Sequence, residues 1–149
     1  MSVGEVCNRE VVITDRDTAI REAARLMREY HVGDLVIVEP RGGENVPVGI
    51  VTDRDLVLEV LALEVPDEEL TVGDLVTGDL ATVPEDTDLW DALARMRRHG
   101  IRRLPVVNEH GGLEGILSID DALELFTEGL DEMVKLIRNE IQREARRRP

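Results

Sequence analysis

The alternation of apolar and polar positions along this chain draws one pattern twice. Short apolar runs, Val11-Val12-Ile13 and Leu80 to Val83, read as strands. Each leads to a polar pair, Asp17-Thr18 or Asp86-Thr87, that can cap a helix N-terminus. Ile20, Ala23, Ala24 and Met27 follow in one copy, and Leu89, Ala92, Leu93 and Met96 in the other. Their i, i+3, i+4, i+7 spacing predicts a helix with one buried face over 18–30 and again over 87–99. Two strands come next, 34–38 and 47–51, then 103–107 and 113–117, with Pro-Arg-Gly-Gly and His-Gly-Gly segments as turns. A second helix starts at Thr52 or Ser118. Each unit is therefore β-α-β-β-α, preceded by a short helical segment.

The two copies align residue by residue. Residues 2–38 lie over 71–107, placing SVGEVC on TVGDLV, Ala23 on Ala92, Met27 on Met96 and Leu35 on Leu104. GIVTDRD (49–55) then lies over GILSIDD (115–121), with the register shortened inside the glycine-rich turn, where a longer loop costs little. Duplication explains this better than chance likeness of two amphipathic helices. The units span 2–65 and 71–128, joined by a connection too short for a free linker, and each is too small to stand well alone. The expected fold class is mixed α/β (α+β), with the two units packed about a pseudo-twofold axis. Residues 129–149 form a last helix from about 130 to 146, with Met133, Ile137 and Ile141 on one face, and a basic end from Arg143 to Arg148. That end is either a fraying tail or a dock for an acidic neighbour or partner subunit.

Composition narrows the chemistry. The chain has 149 residues, 42% of them apolar, yet Tyr30, Trp90 and Phe126 are its only aromatics. The core must be aliphatic, and a base-stacking platform for single strands is excluded. A formal net charge of -14 repels nucleic acid and anionic lipid at long range, so no DNA, RNA or membrane partner is expected. Cys7 is the one cysteine, which rules out an intramolecular disulfide, a cysteine zinc cluster and a CxxC pair. Met1 leads straight into polar residues and no apolar run approaches a spanning length, so a cytoplasmic location is expected.

No catalytic constellation stands out, and no spacing selects a metal site. His31, His99 and His110 are dispersed, the first two at equivalent helix ends where imidazole favours the dipole. The repeated feature is Gly-h-h-[Thr/Ser]-x-x-Asp (h, apolar) at 49–55 and 115–121. Its plain reading is structural: Thr52 or Ser118 caps a helix, Asp55 or Asp121 completes a capping box, and the glycine allows another backbone to come close. Its occurrence twice beside the dyad suggests more. A hydroxyl can donate to a phosphate, and a carboxylate can accept both hydroxyls of a ribose diol.

The leading SVGEVC and TVGDLV segments, HVGDLVIV with HGIRRLPVV, and GIVTDRDL with GILSIDDA together resemble a CBS-domain pair, or Bateman module, over residues 2–127. The resemblance implies a stand-alone tandem pair that binds an adenosine-containing ligand (AMP, ADP, ATP, NAD or S-adenosylmethionine) between its repeats. It implies that Asp55 and Asp121 hold ribose hydroxyls and that Thr52 and Ser118 approach phosphate. Arg54 lies where a phosphate-directed base is common, whereas Asp120 stands in the second copy. Arg102 and Arg103 instead occupy the places of Gly33 and Asp34. Thr14, Val36, Val83 and Pro105 are the expected adenine neighbours, and the two sites cannot be equivalent. The implied function is non-enzymatic and regulatory: the adenosyl nucleotide is a regulatory ligand, not a cofactor, and output passes through a homodimer or an effector protein. The dimer contact is expected on the 18–30 and 87–99 helices, through Ala23, Leu26, Leu93 and Met96. The alternative is a structural dimerisation module with no nucleotide.

Overall fold

The computed structural model describes residues 1–76 and 78–148 of the chain. It contains two three-stranded sheets of the same topology. In the first, β1 (Ile13–Thr14) pairs in parallel with β2 (Asp34–Arg41), and β2 pairs antiparallel with β3 (Glu44–Thr52). In the second, β4 (Val83–Pro84), β5 (Arg103–Val107) and β6 (Leu113–Ser118) repeat that order and those directions. The crossovers are the helices α2 (Ile20–Tyr30) and α5 (Leu89–His99). Gly42 and Gly43, at φ 58° and 82°, form the two-residue turn between β2 and β3, a left-handed conformation that glycine adopts without strain.

Each helix buries three of the four stripe residues its sequence marks, while Ala24 is exposed and Leu93 half-buried. Ile20, Ala23 and Met27 close over Leu35, Ile37 and Val51 in the first unit. Leu89, Ala92 and Met96 close over Leu104, Val106 and Leu117 in the second. This corrects the expected dimer face: Ala23 is 0% exposed and Met96 3%, so their stripe is consumed inside each unit. The N-cap of α5 is Asp88, whose carboxylate accepts from the Trp90 amide at 2.9 Å, instead of the Asp86-Thr87 pair. The N-cap of α2 is Ala19, whose side chain cannot cap.

The short leading helices exchange partners. Helix α1 (Val3–Val6) belongs by sequence to the first unit, yet Val3 lies in the core of the second. Its Val3 and Gly4 amides donate to the Thr87 and Glu85 carbonyls, each at 2.8 Å. Helix α4 (Val72–Leu75) makes the reciprocal contact: Val72 enters the first core, and the Val72 and Gly73 amides donate to Thr18 and Arg16 carbonyls at 2.9 and 3.0 Å. A third cluster, Val36, Val38 and Ile116 with Val11, Ile50 and Leu113, seals the seam between the sheets.

The motif glycines are required by this exchange. A Cβ at Gly49 would lie 2.7 Å from a Val76 methyl, and one at Gly115 would lie 2.7 Å from the Asn8 carbonyl and 2.8 Å from Cys7 Sγ. Each sits beside a bulge in its own strand, where Val48 and Glu114 are the extra residues and the ladder register shifts.

One expectation about the C-terminus is corrected. No separate helix begins near 130; α6 (Ile119–Arg147) is a single helix that passes through Gly129 without a break. One solvated glycine costs a helix only about 1 kcal/mol, which good helix formers on both sides offset. Pro149, at the end of the expected tail, lies outside the described residues.

Gly115→Ala should destabilise the protein by about 1–3 kcal/mol in urea unfolding, because backbone and not a flexible side chain opposes the added methyl. Gly129→Ala, with nothing within 4 Å, should stabilise it by about 0.5–1 kcal/mol.

Candidate functional site

A cleft lined by charged residues is built where the two units meet. It encloses about 780 Å³ between the end of β3 with helix α3 (Asp53–Asp55), the 75–81 connection, and the α5–β5 junction. Helix α3 continues in π-type turns over Leu56–Leu61. From the first unit come Thr52, Asp53, Arg54 and Asp55; from the second come His99, Arg102, Arg103 and Asp120. The cleft thus joins three guanidinium groups to four carboxylates, counting Asp79.

Thr52 and Asp55 form the capping box that their spacing predicts. The Asp55 amide donates to Thr52 Oγ1 at 3.2 Å, and Asp55 Oδ2 accepts the Thr52 amide at 2.8 Å. Asp55 lines the cleft, and its Oδ1 has no protein donor among the described residues. Arg54 is exposed and has no ion-pair partner among them. Arg102 pairs with Asp120 at 3.1 Å, both exposed. Arg103 Nε reaches across the pseudo-dyad to Asp34 at 2.8 Å. Those two residues are equivalents in the duplicated sequence, so the dyad itself carries an ion pair that identical repeats could not form.

Burial raises the Asp34 carboxyl above the usual aspartate range, outweighing the attraction of Arg103, with Asp53 adding repulsion. Burial likewise pushes the Cys7 thiol up.

The second motif has different surroundings. Ser118 and Asp121 form the matching box, at 3.1 and 3.4 Å. Asp121 borders only a shallow depression of about 230 Å³, shared with Glu124 and Glu128 and with no basic wall. Ser118 lines neither hollow. The divergence has a local cause. Arg9 stands where the first cleft has Gly78, and it ties the segment down through Glu114 at 3.3 Å, Glu85 at 3.6 Å and the Gly4 carbonyl at 2.8 Å. Gly78 has φ 80° and nothing within 4 Å of a would-be Cβ, so that side of the first cleft stays open.

The remaining expected residues sit elsewhere. Val36, Val83 and Pro105 are buried inside the sheets and are not on the wall of the large cleft. Thr14 is half-buried, with its hydroxyl bonded to that of Thr18. The sequence reading passed over Gly78 and Asp79, which only the residue-by-residue alignment of the 75–81 and 6–12 connections could have singled out. It also gave His99 a helix-end role alone. Its Nδ1 does lie 2.9 Å from the Arg95 carbonyl, but the residue also lines the cleft. Among the described residues no three histidine, cysteine or acidic side chains gather as a metal site, and no helix is long and apolar enough to cross a membrane.

A duplicated β-α-β-β-α unit with exchanged leading segments and an inter-repeat cleft defines a class, and the comparisons agree with it. The CBS domain model matches residues 3–62 and 72–128, and the chain belongs to the CBS domain family. It is 37% identical to an uncharacterized protein of Methanopyrus kandleri over 84% of this chain and 62% of that one, so it spans under two thirds of that relative. It is 32% identical to the CBS domain-containing protein YhcV of Bacillus subtilis over 80% and 81% of the two chains. Among solved structures it is similar to the CBS domain pair of protein MJ0100 in complex with 5′-methylthioadenosine and S-adenosyl-L-methionine. That likeness has TM-score 0.72 and 25% identity, and covers 85% of this chain and 99% of the other.

The Asp34 environment yields a pH prediction. The folded state holds this proton more tightly than the unfolded chain, so protonation favours folding. As pH falls from neutrality toward the ordinary aspartate value of about 4, wild type should gain stability relative to Asp34→Asn, then level off below it. Paired urea titrations across that range check this; a relative loss on acidification would give control to the Arg103 attraction.

Proposed function

We propose that this CBS pair is a non-enzymatic, cytoplasmic regulatory module that binds an adenosine-containing ligand in the large inter-repeat cleft. The observation that carries the reading is the convergence there of Thr52–Asp55 from one repeat with Arg102 and Arg103 from the other. The adenosyl ligands of the MJ0100 pair support the ligand class. Asp55 would accept the ribose hydroxyls through Oδ1 while Oδ2 keeps its capping bond. Arg54, exposed at the rim, and Arg102 and Arg103 opposite would meet phosphate. A phosphate must compete with Asp120 and Asp34 for the last two, so binding would loosen the ion pair on the dyad and connect cleft occupancy to the packing of the repeats. A 2′-phosphate would face the Asp55 carboxylate, so NADP is disfavoured against NAD or AMP. The same geometry ranks the clefts: the Asp121 side, walled by acids, would not hold a nucleotide.

Calorimetric titration with AMP tests this. Asp55→Asn should weaken binding about tenfold or more, the scale of one charge-assisted hydrogen bond. Asp121→Asn should leave it unchanged. No heat with AMP, ATP, NAD or S-adenosylmethionine at millimolar concentration would leave the purely structural reading in its place.

We also propose that the pair forms a homodimer through the outer faces of its helices. Tyr30, Val57, Leu61, Trp90 and Leu123 are 50–71% exposed there, and Trp90 stacks on Phe126 at 5.2 Å between ring centroids. Exposed apolar area of this kind marks contact surface. In sedimentation velocity, Leu61→Asp with Trp90→Asp should shift the protein to a smaller species than wild type.

A further inference from the structure

The second half of α6 is a long helix with nothing packed against it. From Thr127 onward every described residue is exposed. Six apolar side chains nevertheless project from this stretch: Leu130, Met133, Val134, Leu136, Ile137 and Ile141, each 43–67% exposed. Leu130, Met133, Val134, Ile137 and Ile141 follow a spacing of three and four and share one face, and Leu136 widens its edge. A free helix of this length is marginal in water, and its stability ordinarily comes from covering such a face.

The charges along the helix indicate what covers it. From Asp120 to Glu132 the helix carries six acids, Asp120, Asp121, Glu124, Glu128, Asp131 and Glu132, and no base. From Lys135 to Arg147 bases dominate, with Arg138 at the edge of the apolar stripe beside Asp131. A second α6 laid parallel would set Asp131 beside Asp131 and Arg138 beside Arg138. Laid antiparallel, it sets the acidic half of each copy against the basic half of the other.

We propose that the α6 extensions of two copies of this chain pair antiparallel, centred between Lys135 and Leu136. This register brings Leu130 level with Ile141 of the partner subunit and Val134 level with Ile137 of the partner subunit, apolar against apolar. Asp131 then lies within about 3 Å along the axis of the level of Arg138 of the partner subunit, and on the same flank. Lys135 already bridges Asp131 and Glu132 within one helix, at 2.8 and 3.0 Å, and the incoming Arg138 guanidinium of the partner subunit would join the Asp131 pair. This contact is separate from the cleft and from the outer helix faces, and needs neither.

Disulfide trapping of the full chain, with Cys7→Ser as background, reads the arrangement directly. Leu130→Cys and Ile141→Cys chains mixed under mild oxidation should give a mixed disulfide. Neither variant alone should cross-link, because its two thiols would stand about 16 Å apart along the axis, beyond what a disulfide bridges. Adding Ile137→Asp to both chains should suppress the mixed product at least tenfold. Cross-linking of Leu130→Cys with itself would show parallel pairing and overturn the proposal. Absence of the mixed disulfide would overturn it too. Flotation of wild type with phosphatidylserine–phosphatidylcholine vesicles, in the absence of that disulfide, would assign the stripe to a lipid surface instead.

Discussion

Neither repeat has a complete core without a segment from the other. Val3 closes the second unit and Val72 the first, each 0% exposed and each fixed by backbone amides that donate to the opposite unit. The exchange removes the choice of folding one half alone, since either half would lack a buried valine and the hydrogen bonds of one helical turn. It also explains why Gly49 and Gly115 sit in the motif. The chain that follows each exchanged helix runs back over the sheet so closely that a single methyl meets it within 2.7 Å. The inter-repeat cleft is a consequence of the same crossing, because the connection after α4 has to pass in front of the Thr52–Asp55 turn to reach β4.

Duplication builds two such passages, and divergence has kept one open. The difference is concentrated in a few positions. Arg9 anchors one passage by three polar contacts where Gly78 leaves the other clear. Arg102 replaces Gly33, and Arg54 and Asp120 are equivalents of opposite sign, so all the cations gather on one side. A homodimer of identical units would have two equal clefts and no means to set Asp34 against Arg103. Fusion of the repeats into one chain permits the asymmetry, and the half-buried dyad pair ties it to stability as well as to the site.

Much of this architecture was legible in the residues. The helix stripes, the hairpins and both capping boxes are local patterns, decided by spacing within a dozen positions, and all of them form. The exchange of α1 and α4 was not legible, because SVGEVC carries no mark of which sheet it will cover. That choice depends on connection geometry over some eighty residues. The inequality of the clefts lay hidden for a related reason: Arg9 has meaning only beside Glu85 and Glu114, distant in sequence. Val36, Val83 and Pro105 show the converse. Strand residues near the motif share its neighbourhood in sequence alignment, yet the pleat turns their side chains into the core.

At Thr52 and Asp55 the structural role and the proposed binding role need not compete. The capping box occupies one carboxylate oxygen and fixes the rotamer of the other. An aspartate so held loses little side-chain entropy when it meets a ligand, unlike the exposed Arg54 next to it in the chain. The fold therefore supplies, for its own reasons, an acceptor already aimed and ordered. The arginines opposite pair with Asp120 and Asp34, whose carboxylates offset the repulsion among the three cations. Anything anionic that enters must replace those partners, so its affinity is set by a difference between two sets of ion pairs. Under the proposed function such a site would respond to phosphate number and charge more steeply than to the shape of the base, and the Asp34–Arg103 pair would carry that response to where the two repeats join.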